Sequence, residues 1–363
     1  MTDKYPSQKA KTYIDQGLYI NAIQEYEQAL SADPYNIELL KKIASLYYHT
    51  KNYDDAINAY KKILYNDPDN SLAPYNLGII YDTTGQYDLA INFFHEAIKL
   101  KPDDIDAIYS LGRSYLKLNE YDKAEELFNQ VLNLNPDDSD AICGLAFVEN
   151  SRNNKETAIK LYKKSVLLDS NQKEAYFSLG MLALENDKTE EAIAYFKQCT
   201  TIQPENIDAH YQLALCYSRL SMHEQAIGEF NYVLSLDPLN IEALNNLGIT
   251  YSILGWLDEA LNLFKKVLHI TPENPYILYA VGYNLYRQSL YDEAIHYLER
   301  SVELDGTYAD ALSSLGLCYI QKGFYPEAIH YFEKALELDE NSYSINYNIA
   351  FAYDITNQPQ KAI

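Results

Sequence analysis

The chain has 363 residues, and its 52 acidic residues outnumber its 29 lysines and arginines, giving a formal net charge of −23. Such a surface repels phosphate backbones and anionic lipid headgroups, so the composition disfavours binding to nucleic acid or to a membrane. Apolar residues make up 47% of the chain, which is enough for a core and excludes wholesale disorder.

The sequence repeats itself every 34 residues. Seven prolines stand in register, at Pro34, Pro68, Pro102, Pro136, Pro204, Pro238 and Pro272. With proline at position 32, the repeats span residues 3–36, 37–70, 71–104, 105–138, 139–172, 173–206, 207–240, 241–274, 275–308 and 309–342, with a partial eleventh at 343–363. No insertion or deletion interrupts this register, so we interpret residues 1–363 as a single array of repeats.

Each repeat has the pattern of two helices. Positions 4, 7, 8 and 11 carry apolar residues on one helical face, and positions 20, 24 and 27 carry a second such stripe. Position 20 is always alanine and position 8 is glycine or alanine, so the two helices of a repeat can approach closely. The aromatic residue at position 24 fills the space beside these small residues. Asn or Asp at position 34 suits a helix N-cap, and position 15 suits a turn, most clearly at Gly17, Gly85, Gly255 and Gly323. The sequence therefore predicts an all-α fold, an α-solenoid of helix pairs.

The two ends of the array differ from its middle. Pro6 and Lys9 make the first repeat polar, which predicts a solvated N-terminal cap. The chain stops at Ile363, within the second helix of the eleventh repeat. We therefore expect an open apolar end at Ile345, Ile349, Ala350 and Tyr353, and a longer parent protein.

Repeats five and six depart from the pattern. Ser170 replaces the proline, Glu149 and Ala183 replace the usual tyrosine of position 11, and Asn153 and Asn154 occupy the inner turn. Two interpretations remain open, namely drift tolerated by the neighbouring repeats and a local bend of the solenoid.

The full pattern resembles that of the tetratricopeptide-repeat family. It reads Leu244-x₂-Leu247-Gly248-x₂-Tyr251…Ala260-x₃-Phe264…Pro272 in one repeat and recurs along the chain. The resemblance implies a right-handed superhelix of antiparallel helix pairs. It also implies that the first helices line a concave groove, where positions 2, 5, 6, 9, 12 and 13 contact ligands.

Positions 5 and 9 are the main candidates for a binding site. They are i and i+4 on one helix and form an apolar stripe beyond what the core requires. The candidate peptide-binding residues are Tyr75, Ile79, Tyr109, Arg113, Phe177, Met181, Tyr211, Leu215, Asn245, Tyr279, Tyr283 and Tyr347. The alternative is that packing between repeats half-buries these side chains. Acidic residues at position 2 predict a ligand with apolar anchors flanked by lysine or arginine.

Two ligand-binding patterns of the family fit this chain poorly. A carboxylate clamp needs a set of Lys, Asn and Arg residues over three consecutive repeats, but Lys41 is followed by Ser45, Asn76 and Asp106. The asparagine ladder of O-linked N-acetylglucosamine transferases is present only at Asn76, Asn246 and Asn348. We therefore expect neither acidic-tail binding nor a complete backbone-gripping ladder.

The sequence contains no catalytic or metal-binding signature. His296 and His330 share position 22 but lack a thiolate or carboxylate at matched spacing, so we expect surface histidines and neither metal nor cofactor. Cys143, Cys199, Cys216 and Cys318 show no disulfide or C-x-x-C spacing and are interpreted as core residues. Without a signal peptide or an apolar spanning segment, we expect a cytoplasmic protein.

Three hypotheses for function follow. The first is a non-enzymatic scaffold that binds a segment of a partner protein along the groove. The second is the substrate-recruiting arm of a larger enzyme, for example a glycosyltransferase, with its catalytic domain beyond Ile363. The third is a structural scaffold that self-associates through its C-terminal end.

Overall fold

The computed structural model describes residues 5–358 and residue 360. Within this part the chain folds into 21 α-helices and contains no β-strand. It divides into two compact units, one extending to Leu182 and the other starting at Ala183. The division falls in repeat six, where Ala183 stands in place of the tyrosine of position 11. A local bend of the solenoid in repeats five and six remains a prediction.

The first unit contains ten complete helices. They are α1 (Tyr5–Asp15), α2 (Tyr19–Ala32), α3 (Ile37–His49), α4 (Tyr53–Asn66), α5 (Leu72–Thr83), α6 (Tyr87–Leu100), α7 (Ile105–Lys117), α8 (Tyr121–Leu134), α9 (Ser139–Ser151) and α10 (Lys155–Leu168). Helix α11 (Lys173–Glu185) begins in this unit and contains the division. We call the odd-numbered helices A helices and the even-numbered ones B helices.

The second unit continues the alternation. Its helices are α12 (Thr189–Ile202), α13 (Ile207–Arg219), α14 (His223–Leu236), α15 (Ile241–Leu254), α16 (Leu257–Ile270), α17 (Pro275–Arg287), α18 (Tyr291–Leu304), α19 (Ala309–Lys322), α20 (Tyr325–Leu338) and α21 (Tyr343–Ile355). From α3 to α9 and from α13 to α19, each A helix packs on the B helix that follows it and on the B helix before it. The predicted fold class, an all-α solenoid of helix pairs, is confirmed. The exact repeat boundaries remain a proposal. With those boundaries, each of the ten complete repeats contains one A helix and one B helix.

Side chains at position 34 cap the N-termini of A helices, as predicted. For example, Asn36 accepts a hydrogen bond from the Leu39 backbone N–H, and Asp138 accepts one from that of Ala141. The same contact is made by Asn70, Asp104, Asn206, Asn240 and Asn274. Each satisfies an N–H that the first helical turn leaves without a partner.

Close packing inside each repeat depends on the small residue at position 8. A Cβ atom added to Gly248 would lie 2.7 Å from the Phe264 ring, and one added to Gly316 would lie 2.6 Å from the Phe332 ring. Both rings are buried, as is the alanine of position 20 in repeats one to ten. The prediction that small residues make room for the aromatic ring of position 24 is confirmed.

Every inner turn contains one residue with positive φ, at position 15. Four repeats have glycine there, and the others place Lys51, Asn119, Asn153, Asp187, Ser221, Ser289 and Asn357 in this conformation. A side chain destabilises the left-handed region because Cβ approaches the following carbonyl oxygen. The seven turns without glycine are therefore local sites of strain.

We expect the substitution Lys51→Gly to raise the free energy of unfolding by about 0.5–1 kcal/mol, because Lys51 has φ 59° whereas glycine adopts this region without a Cβ clash. Urea unfolding followed by circular dichroism measures the change. Lys61→Gly, inside α4, is the matched control and should lower stability by about 1 kcal/mol. Destabilisation by both substitutions would contradict the strain at Lys51.

The last A helix corrects one expectation. Ile345, Ile349 and Tyr353 are buried against α19 and α20, and Ala350 is half-buried, so they do not form an open apolar end. The reason is that their stripe faces the preceding B helix. The exposed apolar residues of α21 lie on another face, at Tyr343, Tyr347, Phe351 and Ile355. At the other end of the chain Lys9 is exposed, as predicted, while the Pro6 side chain and Ile363 lie outside the described residues.

Candidate functional site

Within each unit, A helices of neighbouring repeats contact one another. Such contacts join α5 to α7 and α7 to α9 in the first unit, and α17 to α19 and α19 to α21 in the second. We call the surface that the A helices of one unit form its A-helix face, and the groove prediction assigns positions 5 and 9 to this face. Of the twelve candidate residues, Arg113 and Tyr347 are exposed and the others are half-buried.

Part of the stripe is half-buried for a structural reason. The tyrosine of position 5 packs on the phenylalanine of position 24 in its own repeat. The ring centroids are 6.0 Å apart for Tyr75 and Phe94, 5.7 Å for Tyr109 and Phe128, and 6.1 Å for Tyr211 and Phe230. Each of these tyrosines therefore extends the core and also contributes to the surface.

The next repeat supplies polar neighbours for these tyrosines. Asn246 Nδ2 donates a hydrogen bond of 3.1 Å to the Tyr211 hydroxyl and one of 2.8 Å to the carbonyl of Glu242. Asn76 likewise donates to the carbonyl of Leu72 in its own helix. These two asparagines of the partial ladder are thus engaged within the protein, which argues against a role as backbone-gripping donors.

One cavity opens on the A-helix face of the first unit. It has a volume of about 370 Å³ and lies between α7, α9 and the start of α11. Its lining residues are Tyr109, Arg113, Leu116, Lys117, Asp140, Cys143, Gly144, Phe147, Gln172 and Glu174. We call it the Phe147 cavity, because Phe147 leaves 44% of its surface exposed there. Tyr109 and Arg113 are the two candidate residues that line it, whereas Tyr75, Ile79, Phe177 and Met181 do not.

Opposite charges line the Phe147 cavity. Arg113 and Lys117 come from α7, and Asp140 and Glu174 come from the first turns of α9 and α11. The Arg113 guanidinium lies over the Tyr109 ring, 6.0 Å from its centroid. Burial raises the pKa of the Tyr109 hydroxyl, with a further contribution from Asp140. The cavity therefore offers an apolar floor between a basic wall and an acidic wall.

The thiol in this cavity is not activated for chemistry. Burial and, to a smaller extent, the nearby carboxylates of Glu174 and Asp140 together raise the pKa of Cys143 to about 12. Because the thiolate is the reactive form, Cys143 stays protonated and unreactive at neutral pH. Its role in the cavity is to contribute apolar surface.

The sequence prediction missed Gln172. This residue occupies position 34 in place of Asn or Asp, and its buried Nε2 donates to Asp140 Oδ1 at 2.6 Å and to Ser139 Oγ at 3.0 Å. It therefore holds the acidic wall of the cavity in place. The departure from the capping pattern was the signal in the sequence that could have identified it.

In the second unit the candidates lie in different surroundings. The rings of Tyr279 and Tyr283 stack at 5.8 Å, and Tyr308, which the sequence prediction also missed, packs edge-on against Tyr279 at 4.9 Å. Leu215 and Asn245 are half-buried, and Tyr347 is 64% exposed.

Among residues 5–358 and 360, no group of three or more His, Cys, Asp or Glu side chains is placed to hold a metal ion. His296 and His330 are exposed, and Cys199 and Cys216 are buried. No helix of the described part combines the length and the apolar character needed to cross a membrane.

Family models support the repeat assignment. Models described as tetratricopeptide repeat match residues 13–75 and 83–146, residues 275–341, and residues 59–92 and 229–262. The chain belongs to the tetratricopeptide-repeat family. This family is generally a non-catalytic fold for protein interaction. A model of subunit 3 of the anaphase-promoting complex, or cyclosome, also matches residues 151–231.

A solved structure of low sequence identity shows the same fold. A tetratricopeptide-repeat protein from Parabacteroides merdae ATCC 43184 is 19% identical, covers 68% of this chain and 97% of its own, and has a TM-score of 0.56. MamA from Desulfovibrio magneticus RS-1 is 21% identical over 47% of this chain and 97% of its own, with a TM-score of 0.45. The Cut9–Hcn1 hetero-tetramer of the APC/C is 17% identical, covers 100% of this chain and 92% of its own, and has a TM-score of 0.47. No curated protein matches the chain.

Proposed function

We propose that this tetratricopeptide-repeat chain is a non-catalytic scaffold that binds a segment of a partner protein on its A-helix face. The observation that carries this proposal is the Phe147 cavity, in which an exposed aromatic ring lies between walls of opposite charge. Exposed aromatic residues in a concave site are typical anchors of protein interfaces.

The cavity defines the chemistry of the bound segment. An apolar side chain would pack on Phe147 and Tyr109, where it displaces water from apolar surface. Lysine or arginine next to this anchor would face Asp140 and Glu174, in agreement with the strong negative charge of the chain. An acidic side chain on the opposite side would meet Lys117. The proposed partner segment is therefore an apolar anchor with basic residues on one flank.

Removal of the Phe147 ring tests this proposal. We expect Phe147→Ser to weaken binding of the partner segment by about 2 kcal/mol, or roughly thirtyfold, because an exposed anchor is lost while the core is untouched. The wild-type chain and the variant would be used to capture proteins from a lysate. A captured segment would then be synthesised and titrated by calorimetry.

Phe351→Ser is the matched control. Phe351 occupies the same repeat position on α21 and is 46% exposed, but it lies outside the Phe147 cavity. The proposal requires that the segment be lost by Phe147→Ser and retained by Phe351→Ser. Equal affinity of the wild-type chain and the Phe147 variant for the segment would overturn the assignment of the cavity.

A further inference from the structure

Five tyrosines form a continuous cluster in the second unit. Tyr276, Tyr279, Tyr283 and Tyr286 all belong to α17, and Tyr308 precedes α19. The ring centroids are 5.1 Å apart for Tyr276 and Tyr308, 4.9 Å for Tyr279 and Tyr308, 5.8 Å for Tyr279 and Tyr283, and 6.2 Å for Tyr283 and Tyr286. We call this group the tyrosine cluster. Tyr276 is 58% exposed and the other four are half-buried, so the cluster presents aromatic surface to solvent.

Tyr308 takes part in this cluster instead of capping a helix. It occupies position 34, where seven other repeats have Asn or Asp, and it makes no side-chain hydrogen bond to the first turn of α19. Loss of such a cap lowers the stability of the helix. Its ring instead packs edge-on against both Tyr276 and Tyr279. Gln172 of the Phe147 cavity departs from the capping pattern at the same position, so both departures coincide with a site on the protein surface.

Carboxylates surround the tyrosine cluster. Asp310 lies in the first turn of α19. Burial and, to a smaller extent, the Asp310 carboxylate raise the pKa of Tyr279 to about 12, so this carboxylate is within electrostatic reach of the ring hydroxyl. Glu273 lines, with Tyr276, an open cavity of about 660 Å³. The single basic residue of α17, Arg287, donates instead to the carbonyl oxygen of Ser252 at 2.5 Å.

We propose that the tyrosine cluster binds an arginine side chain of a partner protein. The guanidinium group would stack on the exposed face of Tyr276 beside Tyr308, and Asp310 would supply the opposite charge. Arginine fits better than lysine because its planar, weakly hydrated group stacks on aromatic rings. The inference rests on the proposed function as a scaffold for protein segments, but it concerns a different unit and a different site from the Phe147 cavity.

The first test compares peptides that differ in one side chain. The probes are acetylated and amidated pentapeptides Gly-Ser-Xaa-Ser-Gly, in which Xaa is arginine, lysine, citrulline or proline. Binding to the full chain is followed by NMR of ¹³C-labelled tyrosine rings. We expect arginine to bind about fivefold more tightly than lysine and citrulline, because only arginine combines charge with a planar group. Equal affinities, or a larger response to proline, would overturn the proposal.

The second test separates ligand binding from folding. Tyr308→Asn restores the capping residue that other repeats use, so we expect thermal stability to stay equal or rise while affinity for the arginine peptide falls about tenfold. A loss of stability with unchanged affinity would show that Tyr308 is only structural and would overturn the proposal. Asp310→Asn should weaken arginine binding about fivefold and remove most of its salt dependence.

The two proposed sites can fail separately. Phe147→Ser should leave the binding of the arginine peptide unchanged, because Phe147 belongs to the first unit. If arginine binding is lost in Tyr308→Asn and kept in Phe147→Ser, the tyrosine cluster is the arginine-binding site. This result would hold even where the Phe147 cavity captures no segment. Conversely, a captured segment that depends on Phe147, together with equal affinities for arginine and lysine, would refute only the arginine site.

Discussion

The substitution Phe128→Ala is expected to lower the free energy of unfolding of the first unit by about 4 kcal/mol. Phe128 is fully buried on α8. A Cβ atom built on Gly112 or Gly144 would lie 2.8 Å or 2.6 Å from its ring, so the ring fills the space that two glycines leave open. Because neither glycine has a side chain that could move into the cavity, alanine at this position would leave a large void.

Urea unfolding and hydrogen exchange measure this effect. Exchange should rise most in α7, α8 and α9, since in a repeat array each unit interacts mainly with its neighbours. Tyr65→Ala is the matched control, because Tyr65 is an aromatic residue of a B helix that is 83% exposed, and its loss should cost less than about 0.5 kcal/mol. A loss below about 1 kcal/mol for Phe128→Ala would show that the core can collapse around the missing ring.

Reversal of charge on the acidic wall of the Phe147 cavity is the second large effect. The double substitution Asp140→Lys with Glu174→Lys is expected to weaken binding of the basic-flanked segment by about 3 kcal/mol, roughly a hundredfold at low salt. Each change converts an attraction of roughly 0.5–1 kcal/mol into a repulsion of similar size. The loss should shrink as salt is raised, because both side chains are exposed.

Calorimetric titration of the same segment at two salt concentrations checks this result. The control is Asp54→Lys with Asp88→Lys, which changes the net charge equally and also falls in the first turns of two helices, α4 and α6. These B-helix residues lie outside the Phe147 cavity, so the control should change affinity by less than about threefold. Equal losses in both double variants would show that only the overall charge of the chain attracts the ligand.

The repeat pattern predicted the helices, the caps and the close packing because these features depend on residues within one repeat or the next. Position 15 has positive φ whether it holds Gly85 or Lys51, which shows that the packed pair of helices imposes the turn even on a residue that resists it. The expectation for Ile345, Ile349 and Tyr353 was wrong because the stripe of an A helix faces the preceding repeat as well as its own B helix.

The sequence by itself determined the family, the positions of the helices and the stripe of positions 5 and 9 along the A helices. These features follow from local periodicity. A single residue that departs from the pattern in one repeat does not change them, because the other repeats keep the pattern. Only the tertiary structure decided which parts of the stripe are exposed to solvent. Exposure depends on the side chains that different helices bring together, such as Tyr109 of α7 and Glu174 of α11 around Phe147 of α9, or Tyr308 before α19 against Tyr276 and Tyr279 of α17. Those neighbours come from different helices, and the spacing within any single repeat contains no record of their contact.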